Sequence, residues 1–524
     1  MRHIRKLLAL IPLSLSFVTL ASCHNNIKNN NWKNSDFEVS YDDSKHYKIS
    51  FWAKNDGNSE QIKVYDDAIA KFNTYYPNIT IEKRNFTSYD DIYRDVLINI
   101  GTNTTPNVCI SYPDNVATYL AGNDIVLSLD DIMNDKDYGF GGKKIKYESI
   151  KKEELIEKFF DEGKINNRYY TLPFMRSTEA LYINKDYVEK LGMTIPDIPT
   201  WDYIWEVCQK AVDAKKEELI ENPSADKILY PLIYKSSDNW FITYAKQKNI
   251  PYTSNNGEVL MFNDKTTEAL LDLNEKYNAG LFSTFKKVSY PGNSFNKWEC
   301  LFAIDSTAGA TWIGNGATSH DAGNTSEQEE FETVVKMIPQ VDTNNPTMIS
   351  QGPSICLFKK DNPDEVVASW LFAQFLLTNE VQLGYSHTEG YLPVTNKAID
   401  SEEFTNYLNS TTEYKVKLDA TKLVMDNIDN TFITPVFNGS ANARLAATYI
   451  LEGSTKKKVL SKEAIEELYD KAIKQNGLAD LMNVKSNKIR TESIVLIIVL
   501  CSTWVLMLGS FIAKIIINKR REKM

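Results

Sequence analysis

Residues 169–201, YYTLPFMRSTEALYINKDYVEKLGMTIPDIPTW, decide the fold. Residues 169–174 and 180–183 are short runs of aromatic and aliphatic side chains, the composition of β-strands. Asn184, Lys185 and Asp186 turn the chain into a short helix that Gly192 ends. Thr200 follows Pro199 as an N-cap for a second helix, with Asp202 in the first turn, where the helix dipole favours an anion. Small polar groups, Ser177 and Thr178, sit between the two strand runs. The stretch reads as a strand passing between two α/β halves.

Working outward, residues 47–52 (YKISFW) read as a first strand. Apolar residues at Ile62, Tyr65, Ile69 and Phe72 predict a helix over 61–76. A strand at 78–83, a helix at 89–100, a strand at 107–111 and a helix at 115–120 follow. This βαβα order implies a largely parallel sheet with covering helices. Ligands of such sheets sit beyond the carboxyl ends of strands, where Tyr89 and Asp114 fall. No internal repeat is evident.

The opening stretch resembles the segment PF-x-x-S-T-x-x-L-Y-Y-N-K-D-x-F…G…P-x-T-W of extracellular solute-binding proteins of ABC importers, family 1, in the carbohydrate and sn-glycerol-3-phosphate-binding branch. Further blocks match in order: residues 106–132, 298–312 (WECLFAIDSTAGATW), Gln351-Gly352, an amphipathic helix over 366–378, Gly390 to Val394 (GYLPV), 438–444 (NGSANAR), and a helix over 464–475 with Ser461 as its cap and Gly477 as its stop. The resemblance covers residues 47–485, with a polar insertion at 319–330. It implies an α/β, two-lobe, type II periplasmic-binding-protein-like fold with a three-strand hinge, its second crossing near 304–306 and its third at Gln351-Gly352. The implied first lobe is 47–179 with 307–355, and the second is 180–306 with 356–488.

Both chain ends point to a membrane. Arg2, His3, Arg5 and Lys6 precede an apolar run over 7–20, the pattern of a secretory signal. The sequence Leu20-Ala21-Ser22-Cys23 resembles a lipobox, which makes 1–22 a lipoprotein signal peptide and Cys23 the lipidated residue. Residues 23–46 form a polar tether. Residues 494–517 are apolar enough for a C-terminal transmembrane helix, and the basic tail 518–524 places the C-terminus in the cytoplasm. That span departs from the family pattern. The resulting expectation is a protein on the outer face of a bacterial cell membrane.

A formal charge of −10 argues against nucleic acid. Cys501 lies in the apolar tail, and Cys109, Cys208, Cys300 and Cys356 are scattered without a C-x-x-C pair. The five histidines stand apart, so neither metal nor cofactor is expected. The four internal cysteines read as buried small hydrophobes, with a disulfide left open.

The resemblance also proposes a site. Trp240, in Ser237-Asp238-Asn239-Trp240, stands where the family places a stacking aromatic, although a tryptophan here equally suits a core. Tyr89 and Tyr391 are further aromatic candidates, Tyr391 held between Gly390 and Pro393. Asp114 matches an acidic sugar-hydroxyl ligand or a helix-start carboxylate. Ser177 and Ser306 offer crossing-strand hydroxyls, and Gly352 belongs to the same set. Arg176 and Ser177 alternate on one strand, so only one lines the cleft, and Ser177 is the choice. Arg444 matches the arginine that meets phosphate in the glycerol 3-phosphate branch, a role suited to a guanidinium fork; a surface helix is its alternative.

The expected function is capture of a sugar, oligosaccharide or glycerol phosphate between two lobes, without catalysis, for delivery to ABC permease subunits. Gly314-Asn315-Gly316 lacks a phosphate-loop Gly-Lys-Ser/Thr, so ATP hydrolysis falls to a separate subunit. A surface glycosidase needs two carboxylates at set spacing, and no supporting motif appears. A non-transport lipoprotein or adhesin explains the anchoring but not the ordered blocks.

Overall fold

The computed structural model describes residues 39–482, short internal stretches excepted, and scattered helical residues between 502 and 521. The signal segment, Cys23, most of the tether, most of the 319–330 insertion and part of the expected span at 494–517 lie outside the described residues. Among the described residues no helix is long and apolar enough to cross a membrane.

The first half opens with β1 (Tyr47–Lys54), α1 (Ser59–Tyr75), β2 (Ile79–Phe86), α2 (Tyr89–Thr102), β3 (Val108–Ser111), α3 (Pro113–Tyr119) and β4 (Thr171–Pro173). Tyr47, Ile49, Phe51 and Ala53 of β1 enter one core while Trp52 enters another on the opposite face, the two-residue period of a strand buried on both sides. Asn58 accepts bonds from Glu60 N and Gln61 N and so starts α1.

The second half continues with β5 (Glu179–Asn184), α4 (Trp201–Lys216), β6 (Leu232–Tyr234), α5 (Ser237–Gln247), β7 (Phe282–Thr284), β8 (Phe302–Ser306) and β9 (Thr333–Met337). Thr200 caps α4 through a 3.1 Å bond from Tyr203 N. The chain then returns to the first half with β10 (Ser354–Leu357) and α6 (Pro363–Phe375). It ends in α7 (Lys415–Asp426) and α8 (Ser440–Ser454), followed by a last helix, Lys462–Gln475.

Two five-stranded sheets result, in orders β2-β1-β3-β10-β4 and β9-β5-β8-β6-β7. In the first, β1 pairs in parallel with β2 and β3, and β10 runs antiparallel to β3 and β4. In the second, β8 pairs in parallel with β6, and β5 runs antiparallel to β8 and β9. Three crossings join the sheets side by side: the first over 174–178 between β4 and β5, the second over 350–353 before β10, and the third through Thr431–Phe432 on the way to α8. Ser177 and Gln351 exchange backbone bonds of 2.8 and 2.9 Å, and Met348–Ile349 pairs with Thr431–Phe432. Helix α7 bridges the halves, sending Leu418 and Val424 to the first core and Val416 and Ala420 to the second.

Three expectations are corrected. Residues 304–306 make no crossing, because β8 and the following β9 share one sheet. The assignment of 307–355 to the first half and 356–488 to the second fails for the same reason: β9 lies in the second sheet, while β10 and α6 pack in the first half. The helix expected over 366–378 is not one-sided either. Val366 through Phe375 are all buried, as in a helix enclosed by its own domain.

Candidate solute-binding cleft

A cavity of about 460 Å³ opens between the two sheets, at the level of the crossings. From the first half, α2 contributes Tyr89, Asp90 and Tyr93, and the turn after β3 contributes Tyr112 and Asp114. Ser88 fixes the start of α2 through a 3.1 Å bond from Asp91 N. The Tyr89 and Tyr112 rings meet edge to face with centroids 4.6 Å apart, and Lys54 Nζ lies 5.0 Å from the Tyr89 centroid. These aromatic faces suit the CH-rich face of a sugar ring.

From the second half come Lys235, Ser236, Asp238 and Asn239 after β6, Asp305 and Ser306 at the end of β8, and Asn442, Arg444 and Leu445 on α8. Ser350, Gln351 and Gly352 of the crossings, with Glu162 and Glu179, complete the floor. The β3, β6 and β8 contributors lie at carboxyl ends of strands, as ligand sites of α/β sheets do.

The charges are internally matched. Arg444 Nε lies 3.1 Å from Asp238 Oδ2 and 4.0 Å from Asp114 Oδ2, and Arg444 Nη2 donates to Asn239 Oδ1. Burial pulls on this guanidinium, but Asp238 and Asp114 outweigh it and hold its pKa above the usual value. Burial raises the Asp114 carboxyl despite Arg444. Lys235 pairs with Asp305 at 2.9 Å, and that carboxylate overcomes burial to raise the ammonium pKa. Among the described residues the lining holds six carboxyl groups against these two cations, so a further anion finds no unclaimed positive charge.

Glu179 is a special case. Burial pushes its carboxyl up to about 8, although Tyr234 Oη donates to one oxygen and Asn239 Nδ2 donates at 3.3 Å to the other. At neutral pH it is largely a neutral group at the cleft floor. Behind it, Arg176 is fully buried, 3.0 Å from Glu162 Oε2 and donating to the carbonyls of Met175 and Pro353, both at 2.9 Å.

The cavity thus gathers Tyr89, Asp114, Ser306, Gly352 and Arg444 of the expected set. Trp240 is instead core: it is fully buried, stacked between Tyr234 at 4.8 Å and Trp201 at 5.8 Å. Tyr391 is buried against Tyr385 in the first core, and a Cβ at the preceding Gly390 would fall 2.1 Å from Thr307 O. Neither Ser177 nor Arg176 lines the cavity; Ser177 Oγ accepts a 3.4 Å bond from Ser306 Oγ, which does. Arg444 is not a surface arginine, but its carboxylate partners make it a poor phosphate clamp. The residues that sequence reading passed over are Tyr112, which directly follows β3, and Asp238 and Asn239, which lie in the first turn of α5, four and five residues past β6; only Tyr112 carried a strand-end signal.

The family of bacterial extracellular solute-binding proteins matches residues 67–412. The chain belongs to that family. It is 23% identical over 244 residues to the sn-glycerol-3-phosphate-binding periplasmic protein UgpB of Rhizobium meliloti, covering 44% of this chain and 50% of the relative. It is 24% identical over 235 residues to the arabinooligosaccharide-binding protein of Bacillus subtilis, with 44% and 47% covered. The alignments span about half the length of these relatives. Among solved structures, UgpB from Mycobacterium tuberculosis in complex with glycerophosphocholine superposes with a TM-score of 0.61 at 15% identity, over 82% of this chain and 97% of that one. The substrate-binding protein Lmo0181 from Listeria monocytogenes in complex with cycloalternan gives 0.61 at 17% identity, over 83% and 100%. These likenesses establish the two-lobe fold.

Proposed function

We propose that the protein captures a neutral, hydroxyl-rich solute, a sugar or short oligosaccharide, in the interlobe cleft and presents it to ABC permease subunits driven by a separate ATPase. The supporting observation is the pairing of Arg444 with Asp238 and Asp114 and of Lys235 with Asp305. With both cations committed, carboxylates and amides are left to bond hydroxyls, beside tyrosine faces for the ring. A phosphorylated solute would have to break one of these pairs. The neutral solute therefore takes precedence over glycerol 3-phosphate, which Arg444 alone had suggested.

The same reading covers the finer expectations: no catalysis, no metal or cofactor, a lipid anchor at Cys23, and a C-terminal span with a cytoplasmic end. Solute contacts to Tyr112 on one side and Asp238 on the other favour the closed arrangement over the open one, which is how binding shifts the population. Calorimetry of the full-length chain in mild detergent tests the proposal. Neutral di- to tetrasaccharides should bind at least about 100-fold more tightly than glycerol 3-phosphate or glycerophosphocholine, a gap of about 2.7 kcal/mol. Tighter binding of either phosphate would overturn it.

A further inference from the structure

Strands β3 and β10 pair antiparallel with Cys109 directly opposite Cys356. Phe358 N donates to Asn107 O at 3.1 Å, which makes 107/358 a hydrogen-bonded pair, and the two-residue alternation makes 109/356 another. The Cα atoms of such a pair lie about 5.5 Å apart, within the disulfide range. Its Cβ atoms, also about 5.5 Å apart, stand about 1 Å wider than a relaxed disulfide takes up, so closing the bond draws the two strands locally together. Both side chains leave the sheet on one face, among Trp52, Val96 and Tyr119, whereas Val108, Ile110, Ile355 and Leu357 leave on the other. Both cysteines are fully buried and present as thiols. Burial and the adjoining Cys356 hold the Cys109 thiol well above its usual range, so in the folded chain Cys109 is a poor nucleophile. Cys208, on α4, and Cys300, just before β8, face each other in no strand register.

We propose that Cys109 and Cys356 are a disulfide site, oxidised as the chain folds, which locks the cleft wall to the second crossing. β3 leads directly into Tyr112 and Asp114, and β10 follows Gly352, so one bond ties together two segments that border the solute. The oxidant is a disulfide of the RSSR class, suited to an extracellular chain. One cysteine thiolate attacks RSSR, forming a mixed disulfide and releasing RS⁻. The second thiolate attacks that mixed disulfide, closing the Cys–Cys bond and releasing another RS⁻. The two thiol protons end on the two RSH products, and the protein loses two electrons while RSSR gains them. Because both sulfurs are buried in the folded chain, the exchange takes place before β10 docks on β3.

The test is refolding of the full-length chain from guanidinium with oxidised and reduced glutathione, followed by denaturing alkylation, digestion and mass spectrometry. The expected product is a peptide pair joining Cys109 to Cys356, with at least tenfold less alkylation at both than in a dithiothreitol control, and full alkylation at Cys208 and Cys300. The unfolding midpoint should fall by about 5 °C when dithiothreitol is added, since the bond closes a long loop. A Cys356→Ala chain should lose that sensitivity to reductant. Should that variant not fold, the wild-type chain with and without reductant still decides the matter. Alkylation of Cys109 and Cys356 to the same extent as Cys208 and Cys300, or a link between any other two cysteines, would overturn the proposal.

Discussion

Arg444, on α8 of the second half, lies 3.1 Å from Asp238 on its own side and 4.0 Å from Asp114 across the cleft. One guanidinium therefore serves two carboxylates on opposite walls. Removing it leaves both without their cation in a partly dehydrated site. Arg444→Met should lower the unfolding free energy by about 1–3 kcal/mol, below the value for a fully buried pair because these side chains keep some solvent contact. A double-mutant cycle with Asp238→Asn, read by urea denaturation, should return a coupling of about 1–3 kcal/mol. Additive effects would mean that the pair contributes nothing.

Glu179 carries a pH dependence of known sign. Its folded pKa, about 8, lies above the ordinary 4.5, so the folded chain holds an extra proton between these values. The stability this group contributes is complete below pH 4.5 and is lost as pH rises through 8. Glu179→Gln keeps the neutral shape and should flatten this part of the profile. Thermal melts of both chains at intervals from pH 4.5 to 9 provide the check, and parallel curves would refute the assignment.

Trp240 distinguishes core from cleft. Trp240→Ala should destabilise the chain by about 3–5 kcal/mol, the range for losing a large buried aromatic. Trp240→Phe, if it folds, should leave solute affinity within about threefold of wild type, because the ring faces Tyr234 and Trp201 rather than the cavity. Calorimetry on the phenylalanine variant makes the comparison.

Gly352 sits at φ +150°, where a Cβ would fall 2.0 Å from the Met175 carbonyl oxygen. Gly352→Ala must push the second crossing away from the first. A loss of about 2–4 kcal/mol is expected, seen as a lower melting midpoint. An unchanged midpoint would mean that the crossings tolerate separation.

Much of the fold was legible because its signals are local. Residues 47–120 show strand and helix periods plainly, and Gly192 and Thr200 mark helix ends. The placement of 304–355 was not legible, since whether a strand stays in its sheet or crosses depends on partners far along the chain: β9 joins β5, not β4. The cleft shows the same division. Tyr89 and Asp114 follow from strand ends, whereas the choice between cleft and core at Trp240 turned on one helical step: Asp238 and Asn239 line the cavity and the next side chain turns to the core. Arg444 stood out by its match to the family pattern, but Asp114 and Asp238, which decide its chemistry, are distant in sequence. Spacing alone does not reveal whether a cation is already engaged.

The three crossings are stitched to one another by backbone bonds, Ser177 to Gln351 and Ser350 to Phe432. Strands fastened in this way bend together as a single ribbon, which leaves the jaws one swivel axis and little freedom to twist or slide. Solution scattering with and without solute should consequently move along one coordinate, and a permease that senses the gape would need to read only that angle.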